Sequence, residues 1–415
     1  MRKVTLSEPV IIAQSTTEPV LFGGHQDPFI RCSDGKILYA RYSARRDDVT
    51  CLGLEDKNPV CRSDDGGKSW ERVSDPKEWM KASGKLKNGD YLEMLESLPI
   101  LNVSEDKINS FPDVDVSRKR ISAIGEPYDA YTVDELAPMF EGEVTKTFRC
   151  KRIYAGSDEI VYETCKVNWK NMPIRFTRDI VRREAPQGYK CDKNGVLWSA
   201  VEAPYIDDNG KCPSKRLCTH IIRSDDYGHT WDYVNTLVYK EEYNDPNMKD
   251  IEGFSDCTLE FLSDGSMIGI VRSGSLFPLA GEKMGDKDHP APRIFYFKSS
   301  DQGKTFDFIK PFYDYGVFPR SVTLDNGTII AASGRPGVYI RTCDDPKGEE
   351  WNDVIDIIKV PEEDIYDKYW QYSCSNTDIC AYDSNTAYLT YSDFKLLTPD
   401  GERAKSIVVR KITVE

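Results

Sequence analysis

Histidine and cysteine spacing limits the chemistry open to this chain. Its 415 residues include twelve cysteines and four histidines, the latter at 25, 220, 229 and 289. No C-x-x-C pair and no H-E-x-x-H motif occurs; the closest cysteine spacings are Cys212 to Cys218 and Cys374 to Cys380. A thiolate or imidazole zinc centre needs ligands at shorter, paired spacings, so the cysteines read as reduced packing thiols and no metal is expected. The charge is lopsided: 69 acidic against 55 basic side chains, a net of −14. Nucleic-acid phosphates need clustered Lys and Arg, so no nucleic-acid partner is expected, and an anionic ligand must be met by a local basic pocket. No stretch nears the roughly 18 apolar residues of a membrane span. The first residues lack the apolar centre of a signal peptide. The expected location is the cytoplasm, or outside the cell with a leader removed, and no membrane partner is expected.

The elements that must position any site are announced by repeats. Ser63-x-Asp65-x-Gly67-x-Ser69-Trp70 recurs as Ser224-x-Asp226-x-Gly228-x-Thr230-Trp231 and Ser299-x-Asp301-x-Gly303-x-Thr305-Phe306. A degraded copy, one residue longer, runs from Thr342 and Asp344 to Gly348 and Trp351. This is turn chemistry: Asp accepts amides two or more residues on, Gly supplies positive φ, Ser or Thr satisfies further backbone groups, and the aromatic packs back. Turn dipeptides followed by apolar strands begin at Asp34, Asn88, Asn194, Asp264, Asn326 and Ser384, spaced 54, 106, 70, 62 and 58 residues apart. Those spacings are near the length of a four-stranded propeller blade. The long gap places an insertion at about 97–190 in the second unit, with alternating strands over 147–154 and 160–167 and one short helix over 133–140. No linker separates it, so the chain reads as a single domain over 1–415. The fold class expected is all-β, a six-bladed β-propeller with four-stranded antiparallel blades and an insertion in blade two.

Three such boxes in a six-unit all-β chain resemble the sialidase (neuraminidase) superfamily, over nearly the whole chain outside the insertion. The boxes speak for the fold, not the activity. The resemblance implies a retaining exo-glycosidase with a Tyr nucleophile, whose phenol needs a neighbouring carboxylate to take its proton. Tyr372, followed by Ser373, stands at the family's nucleophile position. The family's base precedes an Arg by about sixteen residues; here Arg272 is preceded at that interval by Asp256, one methylene shorter than the family's Glu. Three family Arg hold the sugar carboxylate, because a planar guanidinium donates two parallel bonds to it. Arg272 matches the second and Arg335 the third, with Arg320 and Arg341 nearby. The first is absent: Gln26, before Asp27 and Pro28, stands in its place, with Arg31, Arg41 and Arg45 in the same unit. The family's acid/base Asp falls on the loop 43–50, where Asp48 or Asp47 answers it.

The function expected is therefore a sialidase-like exo-glycosidase acting on a terminal anionic sugar of a glycan, with no cofactor. Its catalytic residues would be Tyr372, Asp256 and Asp48, and its substrate-binding residues Arg272, Arg335, Gln26 and Arg45. Two other readings fit the departures. One is a propeller that binds glycans without cleaving them. The other is a lyase or neutral-sugar hydrolase on the same fold, in which His25 beside Gln26 would be the base to inspect. The sequence is silent on oligomeric state.

Overall fold

A computed structural model describes residues 2–15, 26–43, 58–95, 99–121, 127–186, 188–243, 245, 253–274, 292–306, 308–366, 368–374 and 376–415. The chain is nearly all β. Three of its sheets are four-stranded and antiparallel with strands in chain order. They are built from Gln26–Cys32, Leu38–Ser43, Val60–Ser63 and Glu71–Val73; from Ser255–Phe261, Met267–Arg272, Ile294–Ser299 and Phe308–Tyr313; and from Val317–Thr323, Ile329–Gly334, Val338–Cys343 and Ile355–Ile358. Another joins Thr377–Asp383, Thr386–Asp393 and Lys405–Val414 to Val4–Leu6 and Val10–Ser15, so the two ends of the chain close one sheet together. Inner strands of neighbouring sheets pack side by side: Leu197–Ala203, second strand of its hairpin after Lys190–Cys191, lies against the first strand Ser255–Phe261, that against Val317–Thr323, that against Thr377–Asp383, and that against Gln26–Cys32. This radial order, with inner strands lining an axis, is a propeller arrangement.

The repeated boxes fold as their chemistry requires. Ser224 Oγ donates to Asp226 Oδ1 at 2.8 Å and accepts Gly228 N at 2.8 Å, while Thr230 N donates to the same Asp oxygen at 2.8 Å. The Ser63 and Ser299 turns repeat these bonds. Gly228 has φ +84°, and a Cβ there would stand 2.4 Å from Leu92 Cδ2, so both conformation and space demand glycine. In the degraded copy the roles slide by one residue. Asp345 accepts the amides of Lys347, Glu349 and Glu350, while Asp344 turns to Arg2 N at 2.9 Å and Thr328 Oγ1 at 3.0 Å. The turn dipeptides close first-to-second-strand hairpins with one recurring bond, such as Gly195 N to Asp192 O and Gly265 N to Leu262 O, each 2.9 Å.

The second unit differs from its neighbours. Tyr91–Met94 is an edge strand paired only with Thr147–Ile153, and the helix Pro76–Lys81 precedes it where other units begin with a strand. Asp75 caps that helix by accepting Lys77 N, and Trp79 and Met80 are its buried residues. Thr147–Ile153 pairs with Val161–Asn168, which runs parallel to Thr230–Leu237 and so merges this unit with the next into one seven-stranded sheet. Within the span 97–190, Pro99–Asn102, Lys119–Ile121, Pro127–Thr132, Pro173–Thr177 and Ile180–Arg182 form a separate five-stranded sheet. Its Tyr131, Ile174, Phe176 and Val181 share one apolar core with Leu92, Phe148, Leu197 and Trp231 of the seven-stranded sheet. The helix expected over 133–140 is Val133–Leu136 followed by a 3₁₀ turn, entered through a Thr132–Glu135 capping box.

Candidate functional site

The first strands of three sheets share one irregularity. Ser255 pairs with Arg272 and then Thr258 with Ile270; Val317 pairs with Gly334 and then Arg320 with Ala332; Gln26 pairs with Ser43 and then Phe29 with Arg41. One extra residue is bulged out at each strand entry, which re-aims the side chain beside it. Two left-handed non-glycine φ angles fall there, Asp256 at +48° and Phe318 at +45°, and a third, Arg335 at +65°, lies just past the end of its own strand. Residues held in such sparsely populated conformations cluster at working sites.

This construction gathers three of the expected residues. Asp256 Oδ2 lies 2.7 Å from Arg272 Nε, and Arg272 Nε donates to Ser255 Oγ at 3.1 Å. The fully buried Arg335 feels Tyr369, Arg272, Cys374 and Asp256. Burial moves the Arg335 guanidinium down to about 10, and the neighbouring Arg272 charge adds to that shift. Two guanidinium groups and one carboxylate thus stand together, all at most 4% exposed. Asp256 N also donates to Glu202 Oε2 at 3.4 Å.

Tyr372 has polar partners of its own. Its hydroxyl donates to Asp364 Oδ2 at 2.5 Å, and Lys395 Nζ stands 3.8 Å from its ring centroid. The Asp364 bond is the main reason that its phenol rises to about 12. The tyrosine in the field of Arg335 is Tyr369, three residues earlier and 1% exposed. The signal for it was present in Tyr369-Trp370-Gln371-Tyr372, where two tyrosines compete for one role. Of the nearby arginines, Arg320 Nε is 3.9 Å from Asp378 Oδ1, and Arg341 donates to Asn352 O and Trp351 O. Asp47, Asp48, Arg45 and His25 lie outside the described residues; Gln26 opens its strand, and its side chain is likewise not described.

A cavity of about 740 Å³ runs beside the first strands. It is lined by Arg31, Arg41, Glu93, Tyr189, Lys190, Glu202, Arg320 and Asp378, among others, and by none of Asp256, Arg272, Arg335 or Tyr372. Glu202 links the two regions, since it lines the cavity and accepts Asp256 N. Burial raises the Asp378 carboxyl above the usual range, with Arg320 opposing the shift. At Glu93 the balance is reversed: burial pushes the carboxyl up, but Arg31, Lys151 and Arg41 outweigh it and hold it low. Sequence reasoning did not find this cavity. It opens beside the edge strand Tyr91–Met94, where a helix replaces the expected strand, and no local motif marks that replacement. Among the described residues no His, Cys, Asp and Glu group suits a metal ion, the cysteines are free thiols, and no helix is long and apolar enough to cross a membrane.

No protein-family profile and no curated protein matches the chain. Solved structures do. A protein of unknown function from Dyadobacter fermentans superposes over 99% of both chains at 15% identity with a TM-score of 0.55, and so shares the fold. The microbial sialidase Hz136 aligns with 92% of this chain and 65% of its own at 13% identity and a TM-score of 0.49. A Penicillium chrysogenum alpha-L-arabinanase, solved with arabinobiose, aligns over 98% of both chains at 15% identity and a TM-score of 0.46.

Proposed function

We propose that the chain is a sialidase-like exo-glycosidase on a six-bladed propeller of four-stranded blades, removing a terminal anionic sugar with retention of configuration. The observation that carries this reading is the 2.7 Å Asp256–Arg272 pair at a bulged strand entry, with the buried Arg335 near enough to feel both charges. Paired guanidinium groups in a poorly solvated setting favour a carboxylate, because their charge is weakly screened and their donors lie in planes that match it.

In the reaction, a tyrosine oxygen attacks the anomeric carbon while the aglycone oxygen leaves with a proton. Water then attacks the anomeric carbon, the tyrosyl–sugar bond breaks, and the tyrosine oxygen takes back its proton from the base. Asp48 or Asp47 supplies and later removes the proton on the aglycone side, and Gln26 and Arg45 complete the sugar pocket. The resemblance points to Tyr372 as nucleophile with Asp256 as its base. Tyr369 is the alternative nucleophile, because it and Asp256 both act electrostatically on Arg335, whereas the Tyr372 hydroxyl is engaged by Asp364.

A second reading rests on burial. Asp256, Arg272, Arg335 and Tyr369 are so enclosed that they would brace adjacent sheets, leaving the open cavity to bind a glycan without cleaving it. Screening the purified protein against aryl glycosides of sialic acid, related nonulosonic acids, uronic acids and neutral sugars separates the two. Release of an anionic sugar supports the hydrolase; cleavage of none, with binding of one, supports the second reading.

A further inference from the structure

The cavity contains a charge arrangement that the proposed hydrolysis does not use. Arg31 Nη2 and Arg41 Nη1 both approach the same carboxylate oxygen, Glu93 Oε1, at 3.4 and 3.7 Å. Lys151 Nζ takes the other oxygen at 3.4 Å, and Trp79 Nε1 donates to Oε1 at 3.1 Å. The two guanidinium groups also share one indole: Arg31 lies 4.0 Å and Arg41 4.8 Å from the Trp79 ring centroid. Three cations therefore divide one carboxylate. Of the other carboxylates on the wall, Glu184 meets Arg175 at 2.5 Å, Asp378 accepts Ile30 N at 2.9 Å near Arg320 and acts only weakly on Arg31, and Glu202 accepts Asp256 N.

Excess positive charge in a poorly hydrated place is costly unless an anion completes it. Burial moves the Arg31 guanidinium down despite Glu93, and the adjacent Arg41 charge adds to that shift. Both guanidinium groups line the cavity, with side chains 23% and 27% exposed, so they are reachable from it. The volume suits a sugar residue. Aromatic rings hold the guanidinium planes in place, which is the preorganisation that bidentate carboxylate recognition needs.

We infer that Arg31 and Arg41 form a sugar-acid subsite in this cavity, taking the carboxylate of a uronic-acid-type residue. This site is separate from the Asp256–Arg272–Arg335 cluster and does not depend on the hydrolase reading.

Calorimetric titration of the full chain with D-glucuronate, D-glucose and inorganic phosphate at fixed ionic strength tests it. Glucuronate binds, glucose does not, and phosphate binds more weakly. Arg41→Met, checked for its fold by circular dichroism, weakens glucuronate binding by at least about tenfold, the scale of losing one partner of an enclosed charge pair. Glu93→Gln, which removes the competing carboxylate, tightens it; a purely structural role for Glu93 would not do so. The inference is overturned if glucuronate fails to bind, if Arg41→Met binds it like wild type, or if phosphate binds as tightly.

Discussion

Asp256 and Arg272 meet at 2.7 Å because a bulge at the entry of one strand turns Asp256 toward the end of its partner strand. Ser255 sits opposite Arg272 in the ladder, and the left-handed backbone at Asp256 brings the following carboxylate to the same guanidinium. The equivalent bulge position in the next sheet carries Phe318, so one backbone device serves two different side chains.

Breaking this pair from one side leaves a buried charge behind. Asp256→Asn is expected to destabilise the fold by about 3–5 kcal/mol, the usual range for an uncompensated buried ion. Arg272→Ala should lose a similar amount and, in the hydrolase reading, weaken binding of an anionic sugar by roughly 2–5 kcal/mol. Urea unfolding midpoints of both variants provide the check on stability. A shift below about 1 kcal/mol in both would mean that the pair is well solvated.

The two tyrosines of the 369–372 turn make opposite predictions. If hydrolysis proceeds through the residue beside Arg335, Tyr369→Phe lowers turnover by orders of magnitude on any substrate that the wild type cleaves, and Tyr372→Phe changes it less than about tenfold. Trapping with a slowly released fluorinated sugar, followed by peptide mass mapping, identifies the modified residue directly. Label on Tyr372 would return the role to the residue that the sequence singled out.

Two of the carboxylates on the cavity wall, Asp378 and Glu93, should leave opposite marks on stability against pH. Asp378 has a raised folded-state value, so the folded chain binds more protons than the unfolded one above the unfolded Asp value of about 3.9. Its contribution is full below that value and is lost as pH rises through the folded value. Glu93 has a lowered value, so its contribution is present above the unfolded Glu value of about 4.3 and is lost as pH falls through the folded one. Denaturant melts of Asp378→Asn and Glu93→Gln against wild type, across that acid range, should give difference curves of opposite slope. Parallel curves would refute the assignment.

What the sequence revealed and what it hid follow from contact range. The Ser224–Asp226–Gly228–Thr230 turn is legible because every bond in it closes within four residues. The Asp256–Arg272 pair is legible because one hairpin spans it, so counting along the chain finds both partners. The Arg31–Glu93 contact and the Trp79 ring beside it are not, since they join separate units and depend on a helix standing where a strand was expected. Tyr369 and Tyr372 cannot be told apart by composition. A tight turn sends two similar side chains different ways, and the outcome depends on whether Asp364 or Arg335 is the neighbour.

The turn boxes offer a test of the fold that is independent of any activity. Gly228 combines φ +84° with a space already filled by Leu92 Cδ2, 2.4 Å from where a Cβ would stand. Gly228→Ala must therefore adopt a left-handed conformation and also displace an apolar group that belongs to the large shared core. The first effect costs about 1 kcal/mol and the second about 1–3 kcal/mol, so a loss of roughly 2–4 kcal/mol is expected. Gly401 provides the control: its φ is +83°, but nothing lies within 4 Å of an added Cβ. Gly401→Ala should lose only the conformational part. Urea midpoints for the two variants, measured together, check the difference. Equal losses would mean that Leu92 moves aside freely and that the turn is not packed against the edge strand Tyr91–Met94.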